Sequence, residues 1–237
     1  MKKLIFLTPL LISTFLLGCH KNQPKPAESN QANQMAYNSS KPLLPLAKGN
    51  QWQYSAYKTV QNPQNTNTYK STYLFEVTNL TQAPNGNQEA TIDVTSNGKL
   101  VERKIWSVGK NGIYQSAGGG KGAVFTPPMP IVPFPIQNDA KFKWTGTGPM
   151  ELGANTASSL TGRFLGTEDF DTDDGRFKGV TVESHQDWTQ NNKPATALSQ
   201  SWWIPGIGLG RLIEVTALPN ARLEIILRLK SYKLNPQ

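Results

Sequence analysis

Apolar and polar residues alternate with a period of two along much of the chain. In "EATIDVTSN" (89–97), Ala90, Ile92 and Val94 fall on one side of an extended strand and Thr91, Asp93 and Thr95 on the other. "TYLFEVTNL" (72–80) precedes it across "APNGNQ", a turn built on Asn85-Gly86. "KLVERKIWSVG" (99–109) follows Asn97-Gly98, and "GIYQSAG" follows Asn111-Gly112, both hairpin signals. "RFKGVTVESHQDW" (176–188) sets Val180 and Val182 against Thr181 and Glu183. Near the C-terminus Leu223, Ile225, Leu227 and Leu229 alternate with Arg222, Glu224, Arg228 and Lys230, broken only by Ile226. No amphipathic helical period intervenes. The pattern predicts an all-β fold: a single curved antiparallel sheet or half-open barrel with one face buried.

Two segments depart from it. "FTPPMPIVPFPI" (125–136) holds five prolines, which cannot donate to a ladder, and predicts an extended edge or crossing loop. "SAGGGKGA" (116–123) predicts a flexible loop. Its glycines do not make a phosphate loop: Gln115 and Gly122 stand where that motif needs Gly and Ser or Thr, and no helix follows.

The N-terminus follows another rule. Lys2 and Lys3 precede an apolar run over residues 4–17, which as a helix would span roughly 21 Å, too short for a bilayer core of about 30 Å. A basic start, a short apolar run and a small residue describe a secretory signal. Leu16-Leu17-Gly18-Cys19 resembles the lipobox of bacterial lipoproteins. That resemblance implies cleavage before Cys19, a diacylglyceryl group on its sulfur and an acylated amine, with palmitate among the acyl chains. Each buried CH₂ contributes about 0.8 kcal/mol, so two or three chains hold a protein at the membrane. Cys19 is the only cysteine, so the domain has no disulfide and depends on its core. His20 rather than Asp follows, which in Gram-negative bacteria resembles the default outer-membrane sorting signal.

The expected organisation is therefore a signal peptide at 1–18, a disordered tether at 19–42 rich in Asn, Gln, Ser and Pro, and an antiparallel β domain at 43–233. A tether of about twenty residues has a root-mean-square reach of roughly 25 Å. The chain carries 24 Lys and Arg against 16 Asp and Glu, a net +8, but the basic residues form no run or helical stripe. That scatter and the export signal argue against nucleic acid as a partner.

Within the domain, Pro45, Leu46, Gly49, Trp52 and Tyr54 of "PLAKGNQWQY" are similar to an opening motif of uncharacterised bacterial secreted and lipoprotein domains. "WWIPGIGLG" (202–210) resembles their closing motif through Trp202, Trp203, Pro205, Gly206, Gly208 and Leu209; Gly210 stands where an aliphatic is usual. These domains look like curved sheets distantly similar to the half-barrels of lipoprotein-carrier and mycobacterial glycolipid-carrier proteins, which hold acyl chains on a concave face. The resemblance implies a non-enzymatic periplasmic module carrying a lipid or other hydrophobic ligand. An envelope structural or assembly factor acting through protein contacts is the alternative. The motif residues also suit core and turn roles without any ligand.

Three further patterns carry candidate chemistry. Asp169, Asp171 and Asp173 in "EDFDTDDG" have the spacing of a calcium-loop start, but Asp174 stands at the required Gly and Val180 at the required Glu, so a solvated hairpin turn is expected and no metal or cofactor. Glu183, His185 and Asp187 share a strand face, yet no second histidine and no nucleophile elbow accompany them. The six tryptophans are unevenly spaced and suit core packing better than a sugar-stacking row. Cys19→Ser should abolish labelled-palmitate incorporation and release the protein from membranes on fractionation; membrane retention with normal processing would disprove the lipid anchor.

Overall fold

A computed structural model describes residues 40–118, 123–149 and 155–236. The signal segment, Cys19 and most of the tether lie outside the described residues, as do residues 119–122 of the glycine segment. Twelve antiparallel strands are joined in chain order: β1 (Gln51–Gln61), β2 (Thr66–Gln82), β3 (Gln88–Ser96), β4 (Lys99–Gly109), β5 (Gly112–Gly118) and β6 (Ala123–Pro133). They continue as β7 (Lys141–Pro149), β8 (Asn155–Asp171), β9 (Arg176–Gln190), β10 (Lys193–Ile204), β11 (Gly208–Leu218) and β12 (Ala221–Lys233). There is no helix among the described residues.

Each strand pairs with its sequence neighbours and β1 pairs with both β2 and β12, so the sheet is a closed up-and-down barrel. This corrects the expectation of an open or half-open sheet. Closure turns on β1, whose Tyr54 faces Tyr73 of β2 on one side and Leu229 of β12 on the other. That pairing joins segments at opposite ends of the domain, and periodicity within a strand carries no information about it.

The proline-rich segment is corrected in part. It does not cross the barrel as a loop; most of it is β6, a strand of the wall. It still behaves as an edge on one side. β6 pairs along β5 with two register shifts but meets β7 at a single position, Thr126 opposite Thr147. Four prolines remove four donors from β6, and the wall is thinnest where they lie.

The inner face is set by register, because residues directly opposite in antiparallel strands point the same way. Ala90, Ile92 and Val94 of β3, Val180 and Val182 of β9, and Leu227 and Leu229 of β12 are buried, as their alternation predicts. Five register shifts gather towards one end of the barrel: Gln53/Tyr54, Val77/Asn79, Ile105/Trp106, Phe164/Gly166 and Trp202/Trp203. Bulges add twist and bend a strand, and here they bring large side chains inward. Tyr54 and Phe75 meet edge to face at 4.9 Å, Phe75 and Trp106 lie 6.4 Å apart, and Trp106 and Trp203 lie 6.0 Å apart. β4 and β10 stand on opposite sides of the ring, so the last contact spans the interior and closes it as a floor.

A strap before β1 covers this end. Leu43, Leu44 and Leu46 are buried in the same cluster. Asn50, fully buried, donates from Nδ2 to the Pro45 carbonyl at 3.0 Å, and its Oδ1 accepts from the Asn235 amide at 2.8 Å. The Gly206 amide donates to the Pro42 carbonyl at 2.8 Å. The opening motif residues Trp52 and Tyr54 bond into the closing motif: Trp52 Nε1 donates to the Ile207 carbonyl at 2.6 Å and the Tyr54 hydroxyl to the Leu209 carbonyl at 2.8 Å. The two motifs are one structural unit, far apart only in sequence. Gly210, the departure from that motif, has a physical reason: a Cβ there would lie 2.7 Å from Ile204 and 2.8 Å from Phe170. Trp203→Ala should cost about 3–5 kcal/mol in urea-unfolding free energy, since it removes the floor ring on the β10 side; a loss below about 1 kcal/mol would show that the floor does not hold the barrel.

Candidate functional site

Two apolar clusters occupy the interior. The larger surrounds the floor. The smaller consists of Phe125, Trp144, Leu160, Trp188 and Ala195 on β6 to β10, nearer the opposite end, which we call the mouth. Phe125 and Trp144 contact edge to face at 6.2 Å. Gly162 permits this wall: the Phe142 ring occupies the place a Cβ would take.

Between floor and mouth the inner face carries charge. Lys104 lies opposite Ile92 and Glu102 opposite Val94, so both share the inner face with fully buried residues. Their side chains pair at 3.0 Å and are 20% and 28% exposed. Lys58 lies opposite Ile225, and Glu214 lies opposite both Ile225 and Ser199. Lys58, Glu214, Ser199 and Ile225 are only half-buried although they point inward. Solvent therefore reaches the interior above the floor. A barrel of about eight strands is just filled by its side chains, and twelve strands enclose more room.

The inner face of β9 is polar towards the mouth. Ser184 Oγ and Ser199 Oγ lie 2.8 Å apart, and Gln186 Nε2 donates to Ser158 Oγ at 3.4 Å. Trp188 and Gln190 continue the same face. These inward polar residues were not singled out from the sequence. A signal for them exists in "ERKIW": once Trp106 is taken as inward, period two places Lys104 and Glu102 inward as well.

The residues proposed from sequence lie elsewhere. Asp169 and Asp171 are on β8 opposite Lys178 and Arg176, and Asp173 is in the turn that follows. Asp169 Oδ2 approaches Arg176 at 3.7 Å. The Asp173 and Asp174 amides donate to the Leu229 carbonyl at 2.8 and 3.1 Å, so the turn seals an edge of β12. No group of three or more His, Cys, Asp or Glu suited to a metal exists among the described residues.

Glu183, His185 and Asp187 share the outer face, as the period-two reading has it. Glu183 pairs with Arg163 at 2.9 Å. His185 Nε2 lies 3.0 Å from Asp187 Oδ1 and 2.7 Å from Thr196 Oγ1. Both oxygens meet the same ring nitrogen. A relay needs its acid and its nucleophile on different nitrogens, so this arrangement does not make one. A surface recess of about 310 Å³ beside these residues is lined by Lys141, Lys143 and Arg163 among others.

Trp202 and Trp203 face opposite ways by alternation, across from a β11 that bulges at Gly210: Trp203 enters the floor, while Trp202 turns outward under Phe170 and the Arg211 guanidinium. Its Nε1 donates to Glu168 Oε1 at 2.6 Å. On the outer face of β4, the Arg103 hydrogen bond holds the Asp93 carboxyl below its usual range.

No family model matches the chain, and no curated protein matches it. Three solved structures are similar to it. A candidate exported protein with a YmcC-like fold from Bacteroides fragilis is 14% identical, with 82% of this chain and 100% of that chain covered and a TM-score of 0.46. A candidate lipoprotein from Parabacteroides distasonis is 17% identical, with 83% and 100% covered and a TM-score of 0.41. The hypothetical lipoprotein YmcC from Escherichia coli is 11% identical, with 77% and 86% covered and a TM-score of 0.34.

Burial pushes the Tyr54 phenol well above its ordinary value. The folded state therefore holds that proton more tightly than the unfolded chain. Its contribution to stability is whole below about pH 10 and is lost as pH rises beyond it. Tyr54→Phe should flatten the fall of unfolding free energy above pH 10 while costing about 1–3 kcal/mol at neutral pH, because the Leu209 carbonyl loses its donor; an unchanged alkaline slope in denaturant titrations would refute the assignment.

Proposed function

We propose that the chain is a lipid-anchored envelope protein whose barrel is a non-enzymatic binding or carrier module for a hydrophobic or amphiphilic ligand. One observation carries the reading: the barrel is sealed at the floor, yet on β1, β4, β10, β11 and β12 the inward residues Lys58, Lys104, Ser199, Glu214 and Ile225 above it are only half-buried. A fold that needed only stability would fill that space, since unfilled core volume costs free energy. The two inward surfaces differ in character. Phe125, Trp144 and Leu160 offer apolar area, while Lys58, Lys104, Glu102 and Glu214 offer charge. Such a lining suits an amphiphile better than a bare hydrocarbon.

The lipobox supplies the address. Acyl chains on Cys19 hold the domain at a membrane, and His20 favours the outer membrane with the barrel facing the periplasm. A role through protein contacts has less support. The exposed large apolar residues Tyr69, Leu100, Val101, Val124, Leu165, Leu198 and Tyr232 are distributed over β2, β4, β6, β8, β10 and β12, rather than on one pair of adjoining strands. No cofactor enters this reading.

Titration of the delipidated protein with N-phenyl-1-naphthylamine, together with native mass spectrometry of the untreated protein, tests it. A saturable fluorescence rise with a micromolar dissociation constant, and a bound mass removed by organic extraction, are expected. Absence of both a co-purifying mass and probe binding would overturn the carrier reading.

A further inference from the structure

Five of the six tryptophans donate their indole N–H to an acceptor: Trp52 to the Ile207 carbonyl, Trp106 to Gln115, Trp144 to the Pro127 carbonyl, Trp202 to Glu168 and Trp203 to Ser201. Trp188 does not. Its Nε1 is shielded from solvent and has no partner, although the residue is only 6% exposed. Two positions on, along the same inward face of β9, Gln190 Oε1 is likewise shielded and unpartnered. A buried polar atom without a hydrogen bond is uncommon, and a donor and an acceptor orphaned on one face within one strand are rarer still.

We infer that Trp188 and Gln190 form the polar subsite of this lumen, and that the group they take is a secondary amide carrying an acyl chain. This rests on the carrier reading above. Alternate residues on a strand stand roughly 7 Å apart. A trans amide presents its carbonyl and its N–H on opposite sides, so it can accept from the Trp188 indole and donate to Gln190 Oε1 at once. An ester of the same shape accepts from Trp188 and leaves Gln190 unpartnered. A free carboxylate would be desolvated among Phe125, Trp144, Leu160 and Ala195, and the cation nearest by register, Lys193 opposite Gln190, is exposed to solvent. The same apolar side chains, 3–7% exposed as they pack on one another, would part to seat the acyl chain.

The test is displacement of N-phenyl-1-naphthylamine from the delipidated protein by N-methyldecanamide and by methyl decanoate, two ligands of matched length. Wild type should prefer the amide about five- to tenfold. Gln190→Leu should bring the amide-to-ester ratio to within twofold of unity, and Trp188→Phe should weaken both ligands. In an NMR spectrum of the ¹⁵N-indole groups, the signal absent from Trp188→Phe should move downfield on adding the amide to wild type. If wild type binds the probe but the ratio is near unity, or if Gln190→Leu keeps the preference, the subsite assignment is wrong and the carrier reading stands. If wild type neither binds the probe nor carries an extractable mass, both fall; if it carries a mass but binds neither the probe nor the amide, the subsite assignment alone falls.

Discussion

The contact between Trp106 and Trp203 ties two walls of the barrel that the ring places opposite each other. A closed sheet of twelve strands encloses more space than ordinary side chains fill, so some device must close it or leave it open. Here both happen. Tryptophan, tyrosine and phenylalanine reach inward from β1, β2, β4 and β10 and pack as one aromatic layer. The strap of Leu43, Leu44 and Leu46 covers it from below. Above the layer no comparable set of rings spans the interior among the described residues, and the inward Lys58, Lys104, Ser199, Glu214 and Ile225 are half-buried. The space left inside the barrel is thus the remainder after the floor is built.

The floor depends in turn on breaks in regularity. Trp202 and Trp203 take opposite faces by simple alternation along β10, Trp203 in the floor and Trp202 against Phe170 outside; the irregularity is in β11, where Gly210 is the extra residue between their partners Arg211 and Leu209. The wall has a corresponding weak place. β6 spends its hydrogen-bonding capacity on β5, and its contact with β7 relies on Thr126 with Thr147, the Trp144 bond to the Pro127 carbonyl and the Phe125–Trp144 ring contact. Side-chain packing there replaces the ladder that prolines deny. The sequence expectation of an edge is physically correct for that side, although the barrel is closed.

Polar groups divide along the same lines. On the outer face they meet one another: Asp93 with Arg103 at 2.6 Å, Glu183 with Arg163, His185 with Asp187 and Thr196. Exposed pairs of this kind contribute little to stability, on the order of 0–1 kcal/mol. Inside, a polar group is costly unless partnered, and Ser184, Gln186, Lys104 and Glu102 are partnered. Trp188 and Gln190 stand apart from that rule at the mouth side of the barrel, each with one shielded polar atom that the chain does not partner.

The sequence by itself determined what depends on near neighbours. Period-two alternation placed Ala90, Ile92, Val94, Leu227 and Leu229 on the buried face, and Asn-Gly pairs placed the hairpins after β2, β3 and β4. β8 was harder to see. Its inward residues Ser158, Leu160, Gly162 and Phe164 alternate in position but not in hydrophobicity, because Gly162 makes way for the Phe142 ring. Tertiary structure alone decided closure, since the β1–β12 pairing links residues almost the full domain apart and local pattern has no term for it. It also decided which titrating groups face inward: Lys58 and Glu214 look like any strand's polar residues until the ring closes round them. The functional space is a property of twelve strands together, and for that reason no short motif announced it.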